Sequence, residues 1–454
     1  MKDERQKNGI IEGVIWKQLL LFFFPIMIGS FFQQLYNTVD SIILGQFVGK
    51  NALAAVGGSA SLIVGLVINF FMGLASGAGV IVSQLLGAGN TKKMNDAIHT
   101  IYAFSVVGSI FFTVIGLVFS PQLLTWMNTP AELMEDSIVY LRIYFAGIFF
   151  VFIYNTGSSI LRALGDSKRP LYYLIICCLI NVLLDIVMVV TFRLGVAGVA
   201  IATVVAQVVS AVLVTVALIR EKEICSFSLR SVRIHSGVLK SEMYYGLPSG
   251  IQYSMYNISN MIVQSAINAF GTDTTAAWAA YGKLDAIYWM VSGALGMAIT
   301  TFVGQNFGAG KIDRVHKSIR VCIWMDIIIT IVIAVVLILF RMPLFGIFSG
   351  DAAVVEIGAH MLWVIAPFYI CYVFTEILSG ALRGMGDVIV PMIITMSCTC
   401  ILRSVWVFTA AKAYPTLDVL IFNYPLTWTI SAVLFLGYYI YLLKRKRKSE
   451  AGIQ

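Results

Sequence analysis

The stretch "LRALGDSKRP" at 161–170 recurs 221 residues later as "LRGMGDVIVP" at 382–391. Two further pairs have almost the same spacing: "QLLGAG" at 84–89 with "QNFGAG" at 305–310, and "LYNTVD" at 35–40 with "MYNISN" at 255–260. Three matches at nearly one offset indicate that the chain consists of two similar halves.

The composition between these motifs is that of a membrane protein. Of the 454 residues, 59% are hydrophobic and only 12% are charged, whereas soluble domains carry about 25% charged residues. Many apolar runs exceed the roughly 20 residues that a helix needs to cross a bilayer. We predict an all-α polytopic membrane protein with twelve spans, at about 15–47, 52–86, 97–120, 134–161, 170–192, 196–220, 239–269, 277–306, 316–340, 354–382, 390–412 and 418–443.

Each half holds six of these spans, so both halves enter the membrane from the same side. We therefore expect two six-helix bundles related by a pseudo-twofold axis along the membrane normal, with a binding site between them. The predicted domains are a first bundle at 1–222, a linker at 223–238, and a second bundle at 239–454 that ends in a basic tail. We read the N-terminal apolar run as the first span, because no small-residue cleavage site follows it.

The net charge of +8 comes from basic residues in short segments between the apolar runs. This pattern orients membrane helices, and it lacks the basic and aromatic patches of nucleic-acid binding. The basic residues concentrate in alternate segments, so we predict that both termini are cytoplasmic. They include Lys2, Arg5, Lys7, Lys92, Lys93, Arg162, Lys168, Arg169, Arg220, Lys222, Arg230, Arg233, Lys240, Lys311, Arg314, Lys317, Arg320, Arg383 and the tail 444–448.

The repeated motifs predict local structure. Gly165 and Gly386 suit tight turns after a helix, and Pro170 and Pro391 suit the first turn of the next helix. The Asp that follows each Gly can cap that next helix. The stretches rich in small residues at 73–89 and 293–310 favour close helix packing, and neither is a phosphate-binding Walker motif.

Two carboxylates lie deep in apolar runs of the first half. Asp40 has Tyr36 four residues before it, and Asp185 has Asn181 four residues before it. Residues four apart share a helix face. Ionisable residues at this depth are rare and usually face a cavity or a partner, so we predict that these carboxyl groups exchange a proton.

The second half does not reproduce the pair, because Asn260 aligns with Asp40 and Trp406 with Asp185. Glu376 and Arg403 could form a buried ion pair or contact substrate; both alternatives stay open. Asp326 has no evident partner and is interpreted as peripheral. Lys283 and Asp285, two residues apart on one helix, do not face each other.

We assign a substrate cavity to polar and aromatic positions near these groups. They are Gln34, Asn37, Tyr140, Tyr256, Asn257, Asn260, Glu376 and Arg403. We find no catalytic constellation, so we expect no enzyme activity, no metal and no cofactor other than a coupling ion. The seven cysteines are interpreted as small apolar filler.

Together these features resemble the multidrug and toxic compound extrusion (MATE) transporters. The resemblance rests on twelve spans in two halves, on the "LRALGDSKRP" pair, on "PIMIGSFFQQLYNTVDSIILGQFVGKNALAAVG" at 25–57 and on "GVAGVAIATVVAQ" at 195–207. It implies two bundles around a V-shaped cavity and export of cationic or amphipathic compounds against inward flow of H⁺ or Na⁺.

The pattern is closer to the prokaryotic DinF-like branch than to the NorM-like branch. The resemblance implies a first-bundle cation site of Asp40 and Asp185 with the polar neighbours Tyr36, Asn155, Asn181 and Thr203. It also implies that Pro25 bends the first helix. The second-bundle sodium site of the NorM-like branch transfers poorly, because Tyr256 and Asn257 occupy its helix 7 region and Glu376 its helix 10 position.

The leading hypothesis is therefore a secondary active multidrug antiporter in the cell membrane. Its expected partners are small cationic or amphipathic drugs, H⁺ or Na⁺ and membrane lipid, with no nucleic acid, and we expect a monomer. The alternative is a flippase of the same fold for a lipid-linked oligosaccharide or another lipid precursor. That function would call for several cations facing a pyrophosphate. A membrane enzyme or channel fits less well, because a twofold repeat suits alternating access.

Overall fold

The computed structural model describes residues 9–450, with side chains as far as residue 445. Lys2, Arg5, Lys7 and the side chains of 446–448, on which part of the topology prediction depends, lie outside this range. The described chain forms twelve long helical segments: α1 Ile15–Val48, α2 Lys50–Gly87, α3 Thr91–Trp126, α4 Ala131–Ala163, α5 Lys168–Thr191, α6 Gly195–Arg220, α7 Ser236–Asn268, α8 Thr272–Gly308, α9 Ile312–Leu339, α10 Ala352–Met385, α11 Ile389–Ala413 and α12 Leu417–Arg445.

The predicted helical fold is confirmed. Among the described residues, eleven of the segments are long and apolar enough to cross a membrane. The other one, α7, is 33 residues long but more polar, since it carries Lys240, Glu242 and several amides. The prediction for α3 is too short at both ends: the helix begins at Thr91, because the Asn90 side chain accepts from the backbone N–H of Lys93 at 3.1 Å.

Several helices contain a π-helical turn, a widening that often occurs at functional sites. In α1 such a turn covers Leu44–Val48, four residues after Asp40, and in α5 it covers Ile186–Thr191, directly after Asp185. In α11 it covers Met396–Leu402, directly before Arg403. The widened turns therefore adjoin the ionisable positions inside these helices.

The chain forms two compact units. Within the described residues, the first consists of Leu20–Gly250 with Gly308–Gly310, and the second of 9–19, Ile251–Phe307 and 311–450. The segment between α6 and α7 belongs to the first unit and packs against its helices, where Cys225 and Phe227 are buried. The predicted domain bounds remain a prediction.

The motif "LRxxGD" forms the predicted turn in both halves. Gly165 and Gly386 each have a φ of 96°, a left-handed conformation that favours glycine. After the first turn, Asp166 accepts from the backbone N–H groups of Lys168 and Arg169 at 2.9 and 3.1 Å. The Asp therefore caps the start of α5, as predicted.

Small residues bring helix backbones together, also as predicted. A Cβ atom added to Gly73 or Gly77 of α2 would collide with the backbone of α7 at Gly250 or Gly246. In the second unit, a Cβ atom on Gly380 of α10 would lie 2.7 Å from the carbonyl oxygen of Gly296 in α8. These contacts leave no room for a side chain at the crossing points.

Candidate functional site

The first unit brings the two predicted aspartates together. The Asp40 carboxyl group, on α1, lies beside Asp185 and Asn181 of α5 and Thr203 of α6. Asp185 and Asn181 are 0% and 1% exposed. Asp185 and Asn181 lie one turn apart on α5, so one helix presents an acid and an amide to the acid of another.

Several buried polar atoms of this group have no hydrogen-bond partner in the part of the chain that the structure describes. In the described part of the chain, both oxygens of Asp185, both amide atoms of Asn181 and Oδ1 of Asp40 are buried without a hydrogen-bond partner. The Thr203 hydroxyl donates to the carbonyl of Val199 at 3.0 Å. An ionised carboxylate buried without donors is costly, unless a proton or a cation neutralises it. Carboxylate, amide and hydroxyl oxygens are also ligands that hard cations accept.

Phenols surround the pair. Tyr36 and Tyr144 are buried within electrostatic range of Asp40, and Tyr140 is within range of both Asp40 and Asp185. The rings of Tyr140 and Tyr144 lie 5.9 Å apart. We missed Tyr144, although it lies four residues after Tyr140 and therefore shares its helix face.

The other polar positions that we predicted in the first unit form hydrogen bonds within their own helices. The Asn155 amide donates to the carbonyl of Val151 in its own helix at 2.8 Å. Gln34 and Asn37 are exposed on α1. Their backbone carbonyls accept from the hydroxyls of Thr38 and Ser41, respectively. Pro25 is buried inside α1, so one backbone hydrogen bond of this helix is missing there.

In the second unit, Glu376 belongs to a tyrosine chain. The Tyr372 hydroxyl lies 3.1 Å from Oε2 of Glu376, and the Tyr256 hydroxyl lies 3.2 Å from that of Tyr372. The positive charge of Arg383 acts on the Glu376 carboxyl group. Arg383 is 5% exposed and belongs to the repeated "LRGMGD" motif. Asn257 donates to the carbonyl of Tyr253 at 3.1 Å.

The suggested ion pair between Glu376 and Arg403 is wrong. Arg403 donates to Oδ1 of Asn260 at 3.2 Å and to the Thr427 hydroxyl at 3.5 Å, and its guanidinium lies 4.3 Å from the ring centroid of Tyr424. Sequence spacing could not show this partner choice, because it depends on how α11 is rotated against α7 and α12.

Asp285, for which we predicted only that it does not face Lys283, is surrounded by hydrogen-bond donors. Asp285 accepts from Tyr369 at 2.6 Å, from Tyr281 at 3.2 Å and from Trp289 at 2.5 Å. Tyr281 and Trp289 lie four residues before and after Asp285, a helical spacing that could have identified the cluster.

Asp326, interpreted from the sequence as peripheral, is 0% exposed. It accepts from Ser292 of α8 at 3.4 Å and from Thr330, one turn away, at 3.3 Å. The sequence interpretation overlooked Thr330 four residues further on, whereas only the fold could reveal Ser292. Asp326 is therefore a buried polar centre of the second unit.

The chain matches known proteins over nearly its whole length. The MatE family model matches residues 25–187 and again 248–409. A probable multidrug resistance protein of Bacillus subtilis, YoeA, is 28% identical over 95% of both chains, and another, YpnP, is 31% identical over 88% of both. A MOP superfamily transporter of Pyrococcus furiosus superposes with a TM-score of 0.88 at 22% identity, covering 98% of both chains. The chain belongs to the MATE family, whose members are transporters and not enzymes.

Proposed function

We propose that the protein is a secondary active exporter of cationic or amphipathic drugs in the cell membrane, driven by inward flow of H⁺ or Na⁺. One observation carries the proposal: Asp40, Asp185 and Asn181 meet inside the first unit, and several of their buried polar atoms have no hydrogen-bond partner in the part of the chain that the structure describes. The names of the Bacillus relatives support drugs as substrates.

Coupling at this site requires an ion that binds the two states of the transporter with different affinity. A proton or Na⁺ between Asp40 and Asp185 neutralises the buried charge, whereas its release leaves carboxylates that repel each other. Helices α1 and α5 can change conformation at the π-helical turns that follow Asp40 and Asp185, and α1 also at Pro25.

The charges of the second unit favour cationic substrates over pyrophosphate. Asp285 and Glu376 each accept from a tyrosine, and Asp285 also accepts from Trp289, and aromatic faces attract organic cations. Arg403 is already bonded to Asn260 and Thr427. A flippase for a lipid-linked pyrophosphate would need free cations in their place, so we favour the drug exporter.

Transport by the purified protein in vesicles tests this proposal. Asp40→Asn and Asp185→Asn keep the size of the side chain but remove the charge, so each should reduce gradient-driven efflux at least tenfold in a folded protein. Glu135→Gln, at an exposed acid of α4, is the matched control and should transport normally. Varying Na⁺ at fixed pH, and then pH without Na⁺, identifies the coupling ion.

Normal coupled efflux by Asp40→Asn would refute the assignment of the site. The same vesicles test the proposed orientation, because positive-inside topology places both termini on the cytoplasmic side. A protease site added after residue 454 should then be cleaved only from that side.

A further inference from the structure

A groove of about 480 Å³ lies on the first unit, away from the aspartate pair. Side chains from α3, α4 and α6 form its walls, and the turn Leu229–Ser231 with Val232 covers one end. The residues that define it include Tyr102, Phe149, Val212, Val216, Leu229 and Val232. The segment between α6 and α7 thus contributes to the groove.

The walls of the groove are apolar. Its two polar side chains, Tyr102 and Thr215, hydrogen-bond to each other, and the Thr215 hydroxyl is also 2.7 Å from the carbonyl of Ala211. Val212 and Leu229 are 53% and 55% exposed, so the groove is open to the surroundings of the helices. Val212 lies eight residues before the end of α6, about 12 Å along the helix. The open side therefore lies along a helix long and apolar enough to cross a membrane, near the linker.

The end of the groove beside the linker is basic. Arg230 and Arg233 directly follow the lining residues Leu229 and Val232, and both are exposed. Arg220 and Lys222 are exposed at the end of α6. Of the two acids in 220–233, Glu221 pairs with Arg169. The apolar groove therefore lies beside a group of exposed cations, of which Arg233 also donates to His235 at 3.0 Å.

We propose that this groove binds an anionic phospholipid. One acyl chain lies between α3 and α6, and the phosphate is held by Arg230 and Arg233. Apolar surface buries an acyl chain, and a basic cluster at the end of membrane helices binds anionic head groups. Because Leu229 and Val232 belong to the linker, the bound lipid holds the linker on the first unit. This inference does not depend on the transport assignment.

Native mass spectrometry of the purified full chain tests the proposal. The probes are phosphatidylglycerol and phosphatidylcholine with identical acyl chains, added in small molar excess. We expect one phosphatidylglycerol molecule to remain bound, and Arg230→Gln with Arg233→Gln to weaken its binding at least tenfold. The matched control, Lys92→Gln with Lys93→Gln, removes two exposed charges from the start of α3 and should leave binding unchanged.

The acyl part is tested by filling the groove without changing charge. Val212→Trp should abolish binding, whereas Val107→Trp, at a 55% exposed residue of α3 outside the groove, should not. Thermal unfolding shows that each variant is folded. Equal binding of phosphatidylcholine, unchanged binding in the arginine variant, or full displacement of the lipid by glycerol phosphate would each overturn the proposal.

Discussion

Asn260 accepts a hydrogen bond from Arg403 at 3.2 Å, at the position where the first half of the repeat has Asp40. The equivalent position on the first helix of each half therefore has different contacts. In the first half, an acid of α1 meets an acid and an amide of α5. In the second half, an amide of α7 meets a guanidinium of α11, one residue after a π-helical turn. Loss of the carboxylate in the second half coincides with an interior cation, which supports our proposal that ion coupling takes place in the first unit.

Arg403→Lys should destabilise the second unit. Lysine keeps the charge but lacks the planar guanidinium. Its single ammonium group cannot donate to both Asn260 and Thr427 and also stack on the Tyr424 ring. We expect a loss of about 1–3 kcal/mol in the free energy of unfolding, measured by thermal or denaturant unfolding in detergent. Arg142→Lys, at an exposed position of α4, is the control. Equal stability of the two variants would show that the planar contacts contribute little.

Tyr369→Phe should weaken the aromatic cluster around Asp285. The substitution removes the 2.6 Å hydrogen bond to Asp285 and keeps the ring, which stacks on Tyr288 with centroids 4.1 Å apart. A hydrogen bond to a charged group contributes about 1.5–3 kcal/mol, so the free energy of unfolding should fall by that amount. Tyr414→Phe, at a 70% exposed residue, controls for loss of a hydroxyl. No difference between the variants would mean that Trp289 and Tyr281 satisfy the carboxylate alone.

Features that depend on local spacing could be predicted from the sequence. Helix positions followed from apolar runs, and the turns at Gly165 and Gly386 followed from motif chemistry. Asp185 and Asn181 share a face because they lie four residues apart, and the fold brings both to Asp40. Tyr281, Asp285 and Trp289 carry the same kind of signal, and we overlooked it.

Features that depend on helix rotation could not be predicted. Glu376 and Arg403 are both inside helices of the second half, and composition alone made them a plausible pair. The fold instead places Glu376 beside Tyr372 and Arg403 beside Asn260. The sequence pattern is similarly silent about the contact of Asp326 with Ser292, which belongs to another helix.

Gly77→Ala should destabilise the contact between α2 and α7. The new methyl group would overlap the backbone of Gly246 and lie 2.7 Å from the carbonyl carbon of Tyr245, and a backbone cannot rotate away as a side chain can. Overpacking of this kind costs about 1–3 kcal/mol.

Gly65→Ala, in the same helix, is the matched control, because no atom lies within 4 Å of its added Cβ. It should be neutral or gain up to about 1 kcal/mol from helix propensity. Unfolding in detergent measures both variants. If Gly77→Ala were as stable as Gly65→Ala, the two helices would have to be free to separate at little cost.

Cys225 reports on whether the linker stays packed on the first unit. The thiol is 2% exposed, and burial, with a smaller contribution from the Glu221 charge and opposition from Arg169, raises the pKa of Cys225 to about 11. Because the thiolate is the reactive form, roughly one thiol in 10⁴ is reactive at pH 7. The ring of the neighbouring Phe227 lies 5.2 Å from that of His99 on α3, centroid to centroid.

In a variant that keeps only this cysteine, maleimide labelling should be slow at pH 7. It should accelerate about tenfold per pH unit, since the thiolate fraction rises with pH below the pKa. Phe227→Ala removes the ring against His99, so it should speed labelling at constant pH. Ser231→Cys, at an exposed linker position in a background without Cys225, gives the rate of an accessible thiol. If Cys225 reacted at that same rate at pH 7, the linker would have to leave the first unit most of the time.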